Sequence, residues 1–162
     1  MSINRVIVNS SPLIVLFKSQ QAELVPQLFS EILVPKAVWD EVTAPGQNDT
    51  ASQQLASVSW AQRVEIGAVA PSVAAWDLGK GESEVLSLAL KTPDCAALVD
   101  DRAARRCSQV LGIITLGTGG LLLLAKRRGL IPLVAPGIQA LRDAGLWLSE
   151  HLVNLLKQQA GE

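Results

Sequence analysis

Ala96-Ala97-Leu98-Val99 runs without a break into Asp100-Asp101, and a helical pattern carrying Arg102, Arg105 and Arg106 follows at once. Four apolar residues in succession suit a strand buried on both faces, as in a parallel sheet. In open α/β sheets, ligands bind at the carboxyl ends of the strands. Two acids placed there are costly unless a cation shares the site, and a divalent metal is the usual one. The plainer role for Asp100 or Asp101 is to N-cap the next helix. Whether other acids reach the same end of the sheet decides between the two.

The rest of the chain alternates in the same way. Val6-Ile7-Val8 predicts a short strand, and Asn9-Ser10-Ser11-Pro12 a helix start capped by Ser10 or Ser11. Leu13, Ile14, Leu16 and Phe17 give that helix its buried face. A helix over 22–29, a strand at Ile32-Leu33-Val34 closed by Pro35, and a helix over 36–42 follow. Residues 44–49 are rich in turn formers, 50–59 look helical, and 64–69 suit an edge strand. A glycine loop, Leu78-Gly79-Lys80-Gly81, leads to a helix over 82–90. Helix 102–111 stops at Gly112, strand 113–116 follows, and helix 121–128 is ended by Gly129. Two more helices are expected near 136–144 and 149–159. This order predicts an α/β fold: a three-layer sandwich with a central, mainly parallel sheet, in one domain spanning residues 1–162. The apolar runs 121–125 and Leu146-Trp147-Leu148 suit core, the alternative being a dimer face or a partner groove.

Composition narrows the chemistry. A net charge of −1 leaves no global basic field for a polyanion, so such a partner needs a local patch. Arg102, Arg105, Arg106, Lys126, Arg127 and Arg128 are the candidates. Cys95 and Cys107 lack the spacing of a zinc site. His151 is the sole histidine, in a polar helical stretch, which argues against a Ser-His-Asp hydrolase. No stretch is long and apolar enough for a membrane span or a signal peptide, so a reducing, cytoplasmic location is the default.

Acids recur at corresponding places. Glu82 and Glu84 open the helix after the glycine loop, Glu41 lies in the helix after the second strand, and Asn9 ends the first strand. Carboxylates also favour first helical turns for electrostatic reasons alone. In their order and spacing, Val6-Ile7-Val8-Asn9-Ser10-Ser11-Pro12-Leu13-Ile14, Val34-Pro35-Lys36-Ala37-Val38-Trp39-Asp40-Glu41-Val42, Gly79-Lys80-Gly81-Glu82-Ser83-Glu84-Val85 and Leu98-Val99-Asp100-Asp101-Arg102 resemble the PIN-domain superfamily of metal-dependent ribonucleases, and within it a prokaryotic PIN-like branch. Thr115-Leu116-Gly117-Thr118, the 122–132 stretch and Leu141-Arg142-Asp143-Ala144-Gly145-Leu146-Trp147-Leu148-Ser149 extend the resemblance over nearly the whole chain.

The resemblance implies an endoribonuclease using Mg²⁺ or Mn²⁺, and the toxin role of many small prokaryotic PIN proteins. It puts the second acid on Glu41. The third falls on Glu84 in preference to its neighbour Glu82, and the fourth on Asp101 in preference to Asp100. Ser11 and Thr118 are positions to hold a metal-bound water or a phosphate oxygen, or else to cap helices. Arg102, Arg105 and Lys126 would contact the RNA backbone. The implied partners are RNA, a cognate antitoxin protein and a second copy in a homodimer, with no membrane. Position 9 departs from the pattern, which has Asp there. Asn offers a carbonyl oxygen without charge, together with an NH₂ group that repels a cation. The chain is therefore either a nuclease with a weakened metal site or a non-catalytic PIN-like module that binds nucleic acid or protein. A receiver-type domain also uses strand-end acids, but it expects an acidic cluster where Asn9-Ser10-Ser11 stands.

Overall fold

The computed structural model describes residues 3–162. In chain order its elements are β1 (Arg5–Val8), α1 (Ser10–Lys18), α2 (Leu24–Leu28), β2 (Glu31–Pro35), α3 (Lys36–Val42), α4 (Thr50–Gln54), β3 (Ala61–Val64), α5 (Pro71–Ala74), α6 (Lys80–Lys91), β4 (Cys95–Leu98), α7 (Arg102–Leu111), β5 (Thr115–Leu116), α8 (Thr118–Arg127), α9 (Ala135–Asp143) and α10 (Glu150–Gln159). The five strands form one sheet in the order β3-β2-β1-β4-β5, and every pairing is parallel.

That order fixes where a site can form. The chain steps from β1 to β2 to β3 in one direction, then crosses back to enter β4 on the other side of β1. Right-handed crossovers in two opposed directions put helices on both faces of the sheet. They also leave a crevice between the carboxyl ends of β1 and β4, where the chain departs to either side. Asn9 follows β1 and Asp100 lies just past β4. The register is tight, with Val8 opposite Leu98 and the Asn9 N–H donating to Leu98 O at 3.1 Å.

Burial explains why β1 and β4 are central. Val6, Ile7, Val8, Ala97 and Leu98 are inaccessible to solvent, and α6 packs over both strands with Val85, Leu86 and Ala89 buried. Leu121, Leu122, Leu123 and Ala125 are buried on α8, so that run is core. Among the described residues, no helix is long and apolar enough to cross a membrane.

Several expectations shift. The edge strand lies at Ala61–Val64 rather than over 64–69, because its half-exposed ladder needs no apolar alternation; Gln62 and Arg63 are exposed while pairing with Leu33 and Val34. Helix 50–59 shrinks to α4, where the Asp49 side chain accepts from Ser52 N, and the last strand to two residues. Neither Ser10 nor Ser11 caps α1; Asn9 holds the cap position, and its side chain makes no capping bond. Trp147 is not core. Gly145, at φ +105°, turns the chain into a short extended stretch in which Leu148 points inward and Trp147 outward, 80% exposed.

Glu162 closes the far end of the molecule. Its carboxylate accepts from the N–H groups of Val134 and Ala135 at 2.7 and 3.2 Å and from Lys126 Nζ at 2.9 Å. The Val134 N–H, first, and Lys126 hold its pKa below the usual carboxylate range. A depressed acid stabilises the fold above its unfolded pKa, about 4.3, and loses that contribution as pH falls through the folded value. The melting temperature of Glu162→Gln should therefore lie below wild type at neutral pH, and the two should converge only as pH falls below the depressed pKa that Glu162 has in the fold. Leu98→Ala, in the centre of the sheet, should cost about 3 kcal/mol in urea unfolding.

Candidate metal centre

The crevice lies between the ends of β1 and β4, and four helices, α1, α3, α6 and α8, supply the residues around it. Asn9 stands at the end of β1, 2% exposed. Its Nδ2 donates to Glu82 Oε1 at 3.3 Å, which turns Oδ1 the other way, where nothing donates to it. The opposite amide orientation would set a carbonyl against a carboxylate. Ser10, the next residue, donates its hydroxyl to Glu41 Oε2 at 3.0 Å, joining α1 to α3.

Gly81, in the first turn of α6, shapes the space between these groups. A Cβ there would sit 3.3 Å from both Asn9 Oδ1 and Glu41 Oε2, and 3.4 Å from Val38 Cγ2. The missing side chain thus leaves a small recess faced by two oxygen atoms. Glu82 lies in the same turn, where the positive end of the helix favours a carboxylate. Its other oxygen lies over Gly79, which also lacks a side chain to block it.

Across β4, Asp100 is held at both oxygens. Thr118 N–H donates to Oδ1 at 2.8 Å and Thr118 Oγ1 to Oδ2 at 2.5 Å, tying the end of β4 to the start of α8. Gly117 keeps this corner open, and the Arg105 guanidinium reaches over it. Ser11 is exposed on the near side, lining a recess of about 250 Å³ with Glu41 and Leu146.

The neighbouring acids are engaged elsewhere. Glu84 Oε1 accepts from Ala37 N at 2.9 Å and so satisfies the start of α3, whose cap position is the side-chain-inert Pro35. Asp101 N-caps α7, accepting from Ala104 N at 2.9 Å, and is exposed. Asn9 Oδ1 and Glu41 thus face one recess, Glu82 is bonded to the amide nitrogen of Asn9 on the other side, and Asp100 is held by Thr118. Among the described residues, no three acidic, histidine or cysteine side chains come together as a ready-made ion cage.

The basic candidates divide as well. Lys126 donates to Ala160 O and Glu162, away from the crevice. Arg102 and Arg105, with Arg106, border a groove of about 660 Å³ that begins at Asp100 and Gly117, and none of the three forms an ion pair among the described residues. Gly81 and Ser10 were not legible as site residues. Gly81 acts by an absence, and only the pairing of α1 with α3 shows what Ser10 touches. Burial pushes the Cys95 and Cys107 thiols up, so both stay protonated and inert.

An all-parallel sheet with an acid-bearing crevice at its switch point is now joined by a family match over residues 5–162, to a model described as a PIN domain. The chain belongs to the PIN-domain family. The match takes in both strands that flank the crevice and all four elements that build it. Among curated proteins, none matches the chain. PIN domains carry a nuclease-type fold and typically use divalent metals. The donor set suits that chemistry: Asn9 Oδ1 and the carboxylate of Glu41 offer only oxygens, as hard cations prefer.

If Glu84 acts on the backbone of α3, Glu84→Ala should destabilise the fold by about 1 kcal/mol, while Glu84→Gln, which keeps an acceptor, should lose much less. Chemical denaturation of both variants measures the difference.

Proposed function

We propose that this PIN domain cleaves phosphodiester bonds in RNA as an endoribonuclease dependent on Mg²⁺ or Mn²⁺. The observation that carries the reading is Asn9 Oδ1, buried, without a donor, and facing the Gly81 recess beside Glu41. A buried carbonyl oxygen left unpaired costs about 1–3 kcal/mol. A cation, or a water bound to one, supplies the missing partner.

In this reading Asn9 Oδ1 and Glu41 hold the ion at the Gly81 recess, Glu82 orients Asn9 through its amide nitrogen, and Asp100 is a further carboxylate at the end of β4. When bound, the divalent ion would lower the pKa of a water and neutralise charge on the phosphate. Ser10 keeps one oxygen of Glu41 occupied, so that carboxylate has a fixed rotamer. Thr118 does the same for Asp100. Arg105, above Gly117, is placed to meet a phosphate. Many small prokaryotic PIN proteins are toxins, and the same role here would add a cognate antitoxin protein as partner.

One feature favours a second reading. With Asn in place of Asp, the site has one negative charge fewer than the family pattern, and charge count is a main determinant of hard-cation affinity. A non-catalytic module that binds RNA or a protein partner is the alternative.

Calorimetric titration of wild type and Asn9→Asp with Mn²⁺, followed by cleavage of single-stranded RNA, separates the two. The nuclease reading expects wild type to bind and cut. Asn9→Asp should bind at least about tenfold more tightly, and Glu41→Gln, which keeps an acceptor for Ser10, should lose both binding and cleavage while keeping its melting temperature. Failure of wild type and Asn9→Asp alike to cut RNA with metal present would overturn it and leave the binding module.

A further inference from the structure

The groove that begins at Asp100 and Gly117 is not accounted for by the metal centre. Its floor is apolar, with Leu146, Leu152, Leu155 and Leu156, and its rim carries Arg102, Arg105 and Arg106 on α7. Trp147 is the most exposed of the large apolar residues at 80%, whereas Leu152 and Leu155 are only 38% and 39% exposed. Leu146 lines both this groove and the recess holding Ser10, Ser11 and Glu41, so the two are neighbours.

We infer that this groove is a track for single-stranded RNA, with the Trp147 indole stacking a base and Arg102, Arg105 and Arg106 holding phosphates on either side of it. The inference rests on the nuclease reading for its position, since a strand whose phosphate sits at Asp100 must run on past Gly117. Sequence-tolerant single-strand binding combines a cationic groove with aromatic stacking surfaces, and Arg102, Arg105, Arg106 and Trp147 all line this groove. The arginines have no ion pairs to break, so phosphates meet cations that are already free. A second copy of the chain fits less well, because the surface it would have to lay against three unpaired guanidinium groups shows no matching unpaired acid among the residues that line the groove apart from Asp100.

The test measures binding apart from cleavage. A fluorescein-labelled oligouridylate of about eight nucleotides, titrated in EDTA, reports affinity by anisotropy with no metal present. Trp147→Leu should weaken binding by about 5- to 150-fold and abolish the fluorescence quenching that a stacked base produces, while Trp147→Phe should keep most of the affinity. Each of Arg102→Gln, Arg105→Gln and Arg106→Gln should lower the slope of log affinity against log salt by about 0.7. Trp147 is exposed, so melting temperatures should not move. Unaltered RNA binding in Trp147→Leu would overturn the track, even if wild type cleaves RNA. So would sedimentation showing a dimer that Trp147→Leu dissociates without effect on RNA. RNA bound through Trp147 but never cut when Mg²⁺ is added would defeat the nuclease reading and leave the track in place.

Discussion

The position of β1 between two parallel neighbours governs the molecule. A strand paired on both sides and covered on both faces must be apolar along its length, and Val6-Ile7-Val8 is. The first polar side chain it can carry comes where pairing ends, at Asn9. Because the chain leaves β1 and β4 in opposite directions, the polar residues after each strand share one crevice. Asn9 could have satisfied itself by capping α1, as Asn commonly does at that position. Its amide instead donates to Glu82, and the carbonyl is left facing Gly81.

The crevice is held open by contacts between elements far apart in sequence. Ser10 fixes Glu41, Thr118 fixes Asp100, and Glu84 fixes the start of the helix that carries Glu41. Each bond joins two elements, so each acid is oriented by a neighbour rather than by its own helix. Preorganised acids of this kind would lose little freedom on binding a cation, which in the proposed reading would partly offset the missing negative charge at position 9.

Much of this was legible in the residues, and the limits were physical. The apolar runs 6–8, 32–34 and 96–99 gave the central strands because burial on both faces leaves no other composition. Helix 102–111 was readable to its ends, bounded by the Asp101 cap and by Gly112 at φ +73°. Glu82 and Glu84 were harder to tell apart. Two residues on a helix point about 200° from one another, so where each points depends on how α6 is seated. That seating follows from the fit of Gly81 against Val38, Asn9 and Glu41, which no local pattern records. Asp100 and Asp101 diverge for the same reason, one turning to Thr118 and the other capping α7. Trp147 escaped because an apolar triplet reads as core until the turn at Gly145 shows which of its members faces outward.

The two borders of the sheet have a consequence for association. β5 offers only Thr115 and Leu116 as an outer row, and β3 presents the exposed side chains of Gln62 and Arg63 along a four-residue ladder. Growth of a sheet by an incoming strand needs a long, flat row of unpaired amides, and charge or brevity at the border removes it. Both margins are therefore poor templates for another chain, which leaves the side chains of the helices and the loops above the strand ends as the main surface for contact with another macromolecule.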